Sequence, residues 1–184
     1  MMEHKGTVQL ETERLILRSF EKTDGPAMYR NWCSDPEVTR FLSWPCHASE
    51  EVSKELAAHW EEEAKAPDWY QWAIVPRDSG EPIGSLGVVR RRDEIALCEL
   101  GYCIGKAWWG QGLMTEAVKA VIRYLFEAVG ANRIEAHHDV NNPASGRVMR
   151  KAGMTFEGIL RQAGRNNTGI CDIAVYSILK KEYP

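Results

Sequence analysis

The sequence predicts an α/β (α+β) fold, with one mixed, mostly antiparallel sheet of about seven strands and about four helices flanking it. Two observations predict it. Strand-like runs, alternating or rich in β-branched residues, recur between residues 14 and 181 and are bounded by turn signals. Segments among them repeat apolar residues every three or four positions, as helices do. The order β-α-α-β-β-β-α-β-α-β-β then gives a mixed sheet with helices packed on it.

The first strand is RLILRSF (14–20), which alternates. Turn signals at Asp24–Pro26 and Asp35–Pro36 bracket short helices. ASEEVSKELAAHWEEEAKA repeats Val52, Leu56 and Trp60 and reads as a helix, with WEEEAK (60–65) as its solvated face. Three strands follow: YQWAIVP (70–76), IGSLGVVR (83–90) after the turn RDSGEP, and IALCELGYCI (95–104) after the charged turn RRDE. In GKAWWGQGLMTEAVKAVIRYLFEAVG, Met114, Ala117, Val118, Val121, Ile122, Leu125, Phe126 and Val129 make one apolar stripe, and Gly130 is a natural stop. RIEAHHDV (133–140) is the next strand and 143–152 a short helix. MTFEGILRQAG and CDIAVYSILKK close the chain as a hairpin around RNNTG. The final strand is a candidate for a sheet edge that supports dimerisation, so monomer and homodimer both stay open. Lys180, Lys181 and Glu182 would blunt that edge.

At 184 residues and 44% apolar content, the chain reads as a single domain spanning 1–184 with enough apolar matter for a core. Charges nearly balance, 23 basic against 26 acidic, so no nucleic-acid footprint is indicated. The five cysteines (33, 46, 98, 103 and 171) are scattered and show no CxxC or Cys/His ligand spacing. They read as reduced thiols in a cytoplasmic protein, with no metal site. No apolar run approaches ~18 residues, and MMEHKGTV lacks the apolar core of a signal peptide, so neither a membrane span nor export is expected.

The stretch WWGQGLM places two glycines directly before the longest apolar stripe. Without Cβ atoms, Gly110 and Gly112 let the backbone bend sharply and let another molecule approach its N–H groups. Those groups adjoin the free donors and the positive dipole end of the helix. A phosphate or pyrophosphate suits such a place. The stretch has neither the third glycine of G-x-G-x-x-G nor a Gly-Lys-Ser/Thr ending, and a ligand-free turn is the favoured reading of the loop by itself.

CELGYCIGKAWWGQGLMTEAV and NNPASGRVMRKAGMTFEGILR together resemble the GNAT superfamily of acyl-CoA-dependent N-acetyltransferases. The chain is most similar to the RimJ/RimL-like branch, which acetylates N-termini of ribosomal proteins. The resemblance runs from ETERLILRSF through SDPEVTRFL to CDIAVYSILKKEY. It implies a sheet that splays between the strands at 95–104 and 133–140. It implies that backbone N–H groups of Trp109, Gly110, Gln111, Gly112, Leu113, Met114 and Thr115 hold the pyrophosphate of acetyl-CoA. Unpaired backbone groups of Cys103 and Ile104 would pair with the amides of the pantetheine arm.

Acetyl transfer to an amine requires loss of a proton from the ammonium, stabilisation of an oxyanion, and departure of a thiolate. Glu99 is the candidate base. Both faces of IALCELGYCI are otherwise apolar, so Glu99 is expected in apolar surroundings that raise its pKa. A structural glutamate bonded to backbone donors is the plain alternative. Asn142 precedes Pro143 and suits a helix N-cap; the resemblance adds contact with the acyl donor. Ser145 would lie near the thioester sulfur and serve the leaving thiolate. Two departures matter. The general-acid tyrosine of many relatives is matched here by Met149, and a glutamate thought to act as base in some ribosomal enzymes is matched by Gly164. His137 and His138 alternate faces of one strand and cannot both ligate one metal from it; one of them would face the groove. Trp32, Phe41 and Trp44 are candidates for the acceptor wall.

The expected activity is acetyl transfer from acetyl-CoA to a primary amine. The expected acceptor is a protein N-terminus, that of a ribosomal protein included, or a small molecule such as an antibiotic, polyamine or aminoacyl group. A non-catalytic acyl-CoA-binding regulator is the contrasting reading. A Rossmann-type nucleotide binder is disfavoured, because its glycine loop follows the first strand.

Overall fold

Alternation in RLILRSF buries Leu15 and Leu17 completely on one side of β2 (Leu15–Ser19). A two-residue strand, β1 (Leu10–Glu11), precedes it within residues 2–183, the part described by this computed structural model. α1 (Gly25–Met28) continues into a π turn to Cys33, and α2 (Pro36–Thr39) starts where the Asp35 carboxylate accepts from the Glu37 N–H. α3 (Glu50–Glu63) leads into an antiparallel meander of β3 (Gln71–Pro76), β4 (Gly84–Arg92) and β5 (Leu97–Ile104). After α4 (Leu113–Tyr124) and its π-turn extension to Val129 come β6 (Arg133–Asp139), α5 (Pro143–Lys151), β7 (Thr155–Asn166) and β8 (Gly169–Leu179).

The sheet order is β1-β2-β3-β4-β5-β6-β8-β7, and only the β5–β6 pair is parallel. Among the described residues there are eight strands and five α-helices, in keeping with the expected about seven and about four; the extra strand, β1, has two residues and is too short to show alternation. The edge expectation is corrected. β8 lies between β6 and β7, so β7 is the edge. Burial explains the order: Ala174, Tyr176 and Ile178 of β8 enter the core, while Phe156, Ile159 and Leu160 of β7 stay half-exposed.

α4 carries most of the packing. Val118, Val121 and Leu125 are completely buried, with Ile122 and Phe126 nearly so. Each such side chain contributes roughly 1.5–3 kcal/mol, far more than the few tenths lost to β-branched residues within a helix. Gly130 ends the segment at φ 80°, the left-handed stop expected of it. On the opposite side of the sheet, α1 and α3 cover a smaller core of Phe20, Met28, Trp32, Ala73, Val75 and Cys103. Among the described residues no helix is long and apolar enough to cross a membrane.

One feature of the sheet positions the site. β5 and β6 pair from Leu97↔Arg133 to Leu100↔Ala136 and then part. β4 keeps hold of β5 as far as Ile104, and β8 keeps hold of β6 as far as Asp139. The sheet therefore splays where the resemblance implied.

Candidate active site

Gly110 and Gly112 have φ values of 76° and 79°. A residue with a Cβ pays about 1–2 kcal/mol to adopt this left-handed conformation, which accounts for both glycines. Gly112 is the N-cap of α4 and supplies no side-chain acceptor, so the first-turn N–H groups are left for another partner. Arg14 secures the bend: one guanidinium nitrogen donates to the Gln111 carbonyl (3.0 Å) and two more to Glu116 (2.7 Å each). Burial pushes the Glu116 pKa up, but hydrogen bonds from Thr12 and Arg14 outweigh it and leave the carboxyl below its ordinary value.

A cleft of about 480 Å³ opens beside this bend. Trp109, Gly110, Gly112, Leu113, Met114 and Thr115 line one wall, and Tyr102, Cys103 and Ile104 of β5 the floor. Asn142 and Ser145 of α5 form the facing wall, joined by the cations Arg147 and Lys151. Phe41 and Leu42, just after α2, line it as well. The cleft thus brings together the start of α4, the end of β5 beyond its pairing with β6, and the segment after α2. Gln111 is not part of the lining; its side chain donates to the Ala107 carbonyl (3.0 Å) and closes the preceding turn. Ile104 departs from expectation as well. Its carbonyl already accepts from the Trp109 indole N–H (2.8 Å), because that ring folds back over β5.

Glu99 sits on the β5 face shared with Cys103, beside the point where β5 and β6 separate, and outside the cleft lining. The apolar surroundings expected for it are overturned. Arg90 Nε donates to Glu99 Oε2 (2.6 Å), and the same guanidinium reaches Glu135 Oε1 (2.7 Å). His137 Nδ1 lies 3.2 Å from Glu99 Oε1, and its Nε2 lies 3.8 Å from Glu135. Donors from two neighbouring strands were invisible from the alternation of β5 alone. The two histidines also separate. His137 is on this open face, whereas His138 stacks on Tyr176 (5.6 Å) and faces α5, where a Cβ on Gly146 would come within 2.6 Å of its ring. The ligand atoms of Glu99, Glu135 and His137 fall within 4.8 Å of one another, with the Arg90 guanidinium bridging the two carboxylates.

The ion-pair ladder continues outward. Arg133 grips Glu157 at 2.6 and 2.8 Å, and Ser177 donates to the same carboxylate (2.6 Å). Together they hold the Glu157 pKa down at about 2, Arg133 first. A depressed carboxylate stabilises the fold above its ordinary value of 4.5, and this contribution disappears as pH falls towards about 2. Glu157→Gln is accordingly expected to melt below wild type at pH 7, with the gap closing across that window; thermal melts at stepped pH measure it.

Asn142 is the N-cap of α5, its side-chain oxygen 3.5 Å from the Ser145 N–H, while it also lines the cleft. Met149 is buried in the main core and offers no proton. A Cβ on Gly164 would come within 2.5 Å of Ile173, so the position cannot take a carboxylate without rearrangement. Sequence reasoning missed Tyr102, whose hydroxyl lies 3.0 Å from Ser145 Oγ.

Of the three acceptor-wall candidates, only Phe41 reaches the cleft, with the Arg40 guanidinium 5.2 Å from its ring centre. Trp32 is corrected to a core residue, 1% exposed beneath α3. Trp44 is half-buried against His47 and does not line the cleft. Its carbonyl has another use. Asn167, at the tip of the β7–β8 hairpin, donates to the carbonyls of Thr39 (2.8 Å) and Trp44 (2.7 Å) and strapped thereby is the α2 side of the groove. Asp139, beside the histidines, has a structural role that its strand position did not show: buried, it accepts from Asn141 and from Asn166 (2.7 Å), tying the start of α5 to the hairpin.

The description "Acetyltransferase (GNAT) domain" matches residues 14–155. The [ribosomal protein uS5]-alanine N-acetyltransferase of Escherichia coli is 40% identical over 159 residues, covering 82% of this chain and 80% of its own length. An uncharacterized N-acetyltransferase of Bacillus subtilis, YoaA, is 34% identical over 93% of this chain and 96% of its own length. A GNAT-family acetyltransferase from Bacillus anthracis has the same fold, with a TM-score of 0.83 at 24% identity over 95% of this chain and 99% of its own. The fold is shared too by a ribosomal L7/L12 α-N-protein acetyltransferase solved with coenzyme A (TM-score 0.80, 21% identity, 94% and 98% covered).

Proposed function

The chain belongs to the GNAT acetyltransferase family and is an N-acetyltransferase, and from that premise we propose that it transfers acetyl from acetyl-CoA to a protein N-terminal α-amine, by direct attack with both substrates bound. The observation that carries this reading is the cleft that joins the uncapped start of α4, the part of β5 beyond its last pair with β6, and the segment after α2. In this reading the first-turn N–H groups of α4 hold the diphosphate, with Arg147 and Lys151 adding charge. The free edges of β5 and β6 receive the pantetheine amides.

The proton leaves through the Glu99–His137 pair. In the tautomer that donates Nδ1–H to Glu99, His137 Nε2 carries the lone pair that accepts it. Arg90 holds Glu99 in place and makes that carboxylate an orienting group. The amine nitrogen bonds to the acetyl carbon, the C–S bond breaks with its electron pair on sulfur, and Ser145 faces that charge. The relative from Escherichia coli is named for an alanine on ribosomal protein uS5, which favours a protein terminus as acceptor. A cytoplasmic location suits the five unbridged cysteines.

The test is acetyl-CoA consumption across peptides with free N-termini, aminoacyl analogues, polyamines and aminoglycosides. Turnover is expected with alanine-initiated peptides and not with their N-acetylated forms. Turnover confined to a small amine would replace the acceptor, and none with any amine would favour a regulator.

A further inference from the structure

We propose that Tyr102 positions Ser145 for the departing sulfur, its phenol donating to Ser145 Oγ and so turning the serine's own proton into the cleft. This rests on the acetyl-CoA reading above. Tyr102 Oη lies 3.0 Å from Ser145 Oγ and 3.1 Å from the Ser145 carbonyl, and both residues line the cleft. A phenol has one proton for these two acceptors. If it goes to the carbonyl, the serine hydroxyl must donate to the phenol oxygen, and its proton is held away from the cleft. If it goes to Oγ, the serine proton is free to meet an anion. Negative charge growing on sulfur selects the second arrangement, since a charge-assisted hydrogen bond is roughly twice as strong as a neutral one.

The phenol is a donor throughout and never the net source of the proton. Burial pushes its pKa up, so a phenolate there is disfavoured at any working pH. The balance is closed without it: the amine proton leaves by His137, the C–N bond forms, and sulfur departs with the C–S electron pair. With Met149 buried and apolar at the position where a tyrosine would otherwise stand, the hydroxyl delivered from β5 is the one that reaches Ser145.

The readout needs no acceptor: the thiol pKa of coenzyme A in its complex with the protein, from thiolate ultraviolet absorbance, with desulfo-coenzyme A as blank. Wild type is expected to lower that pKa relative to free coenzyme A. Tyr102→Phe, which keeps the ring, is expected to cut the thiolate fraction near the midpoint about three- to tenfold, read with the protein saturated by coenzyme A. Ser145→Ala is expected to do the same, and the double variant no more than Ser145→Ala alone. A Tyr102→Phe titration equal to wild type, or a loss that adds to that of Ser145→Ala, would overturn the proposal and leave the acetyl-CoA reading standing. Failure of wild type to bind coenzyme A would remove that reading, and this one with it.

Discussion

A His137→Gln variant is expected to lose about 10²- to 10⁴-fold in kcat while acetyl-CoA affinity stays within about twofold, the range for removal of a general base. Glutamine retains a polar group of similar reach and cannot take up a proton. His137 is singled out by geometry: it directly follows the last β5–β6 pair, outside the cleft lining, and its Nδ1 faces the carboxylate of Glu99. Glu99→Gln is expected to cost less, since it removes the group that orients the imidazole and leaves the imidazole itself. Because the two act as a unit, the double variant should fall little below His137→Gln alone. A His137→Gln variant that keeps its kcat places the base elsewhere.

Gly110→Ala/Gly112→Ala is expected to weaken acetyl-CoA binding roughly thirtyfold or more. Neither Cβ would meet a backbone atom: space around Gly110 is open, and at Gly112 the nearest atom is an Arg14 nitrogen at 3.6 Å. The penalty is conformational. Two alanines forced to left-handed φ cost about 2–4 kcal/mol together, and about 1.4 kcal/mol is a tenfold change in affinity. In the free protein the bend escapes this strain by turning to negative φ, which swings the N–H groups off the anion. Gly80→Ala is the control. It has the same sign of φ (69°) and open space around it, but lies in the turn between β3 and β4. It should lose stability and keep affinity.

These two variants probe residues that differ in how legible they were. The glycine bend could be read directly, because a missing Cβ and a helix start are local facts, and Gly110, Gly112 and Gly130 have the left-handed φ that their spacing suggested. Strand and helix positions were legible for the same reason, to within a few residues. Glu99 was legible as the lone carboxylate on its strand, but its surroundings were not. Arg90 comes from a neighbouring strand with a bulge between Val88 and Arg90, which shifts the face that the arginine presents. Trp32 and Trp44 show the converse: Trp32 turns inward beneath α3, and Trp44 packs half-buried against His47 at the margin of the same small core. Tyr102 and Asp139 were illegible because their partners, Ser145 and Asn166, lie 43 and 27 residues away, and no spacing rule spans that distance.

The most direct measurement is a crystal structure of the protein grown with coenzyme A. The diphosphate is predicted against the N–H groups from Gly110 to Thr115, with the pantetheine arm lying between β5 and β6 and the sulfur near Ser145. Coenzyme A seated elsewhere, or a gap between those strands that stays closed to it, would contradict the assignment of this cleft.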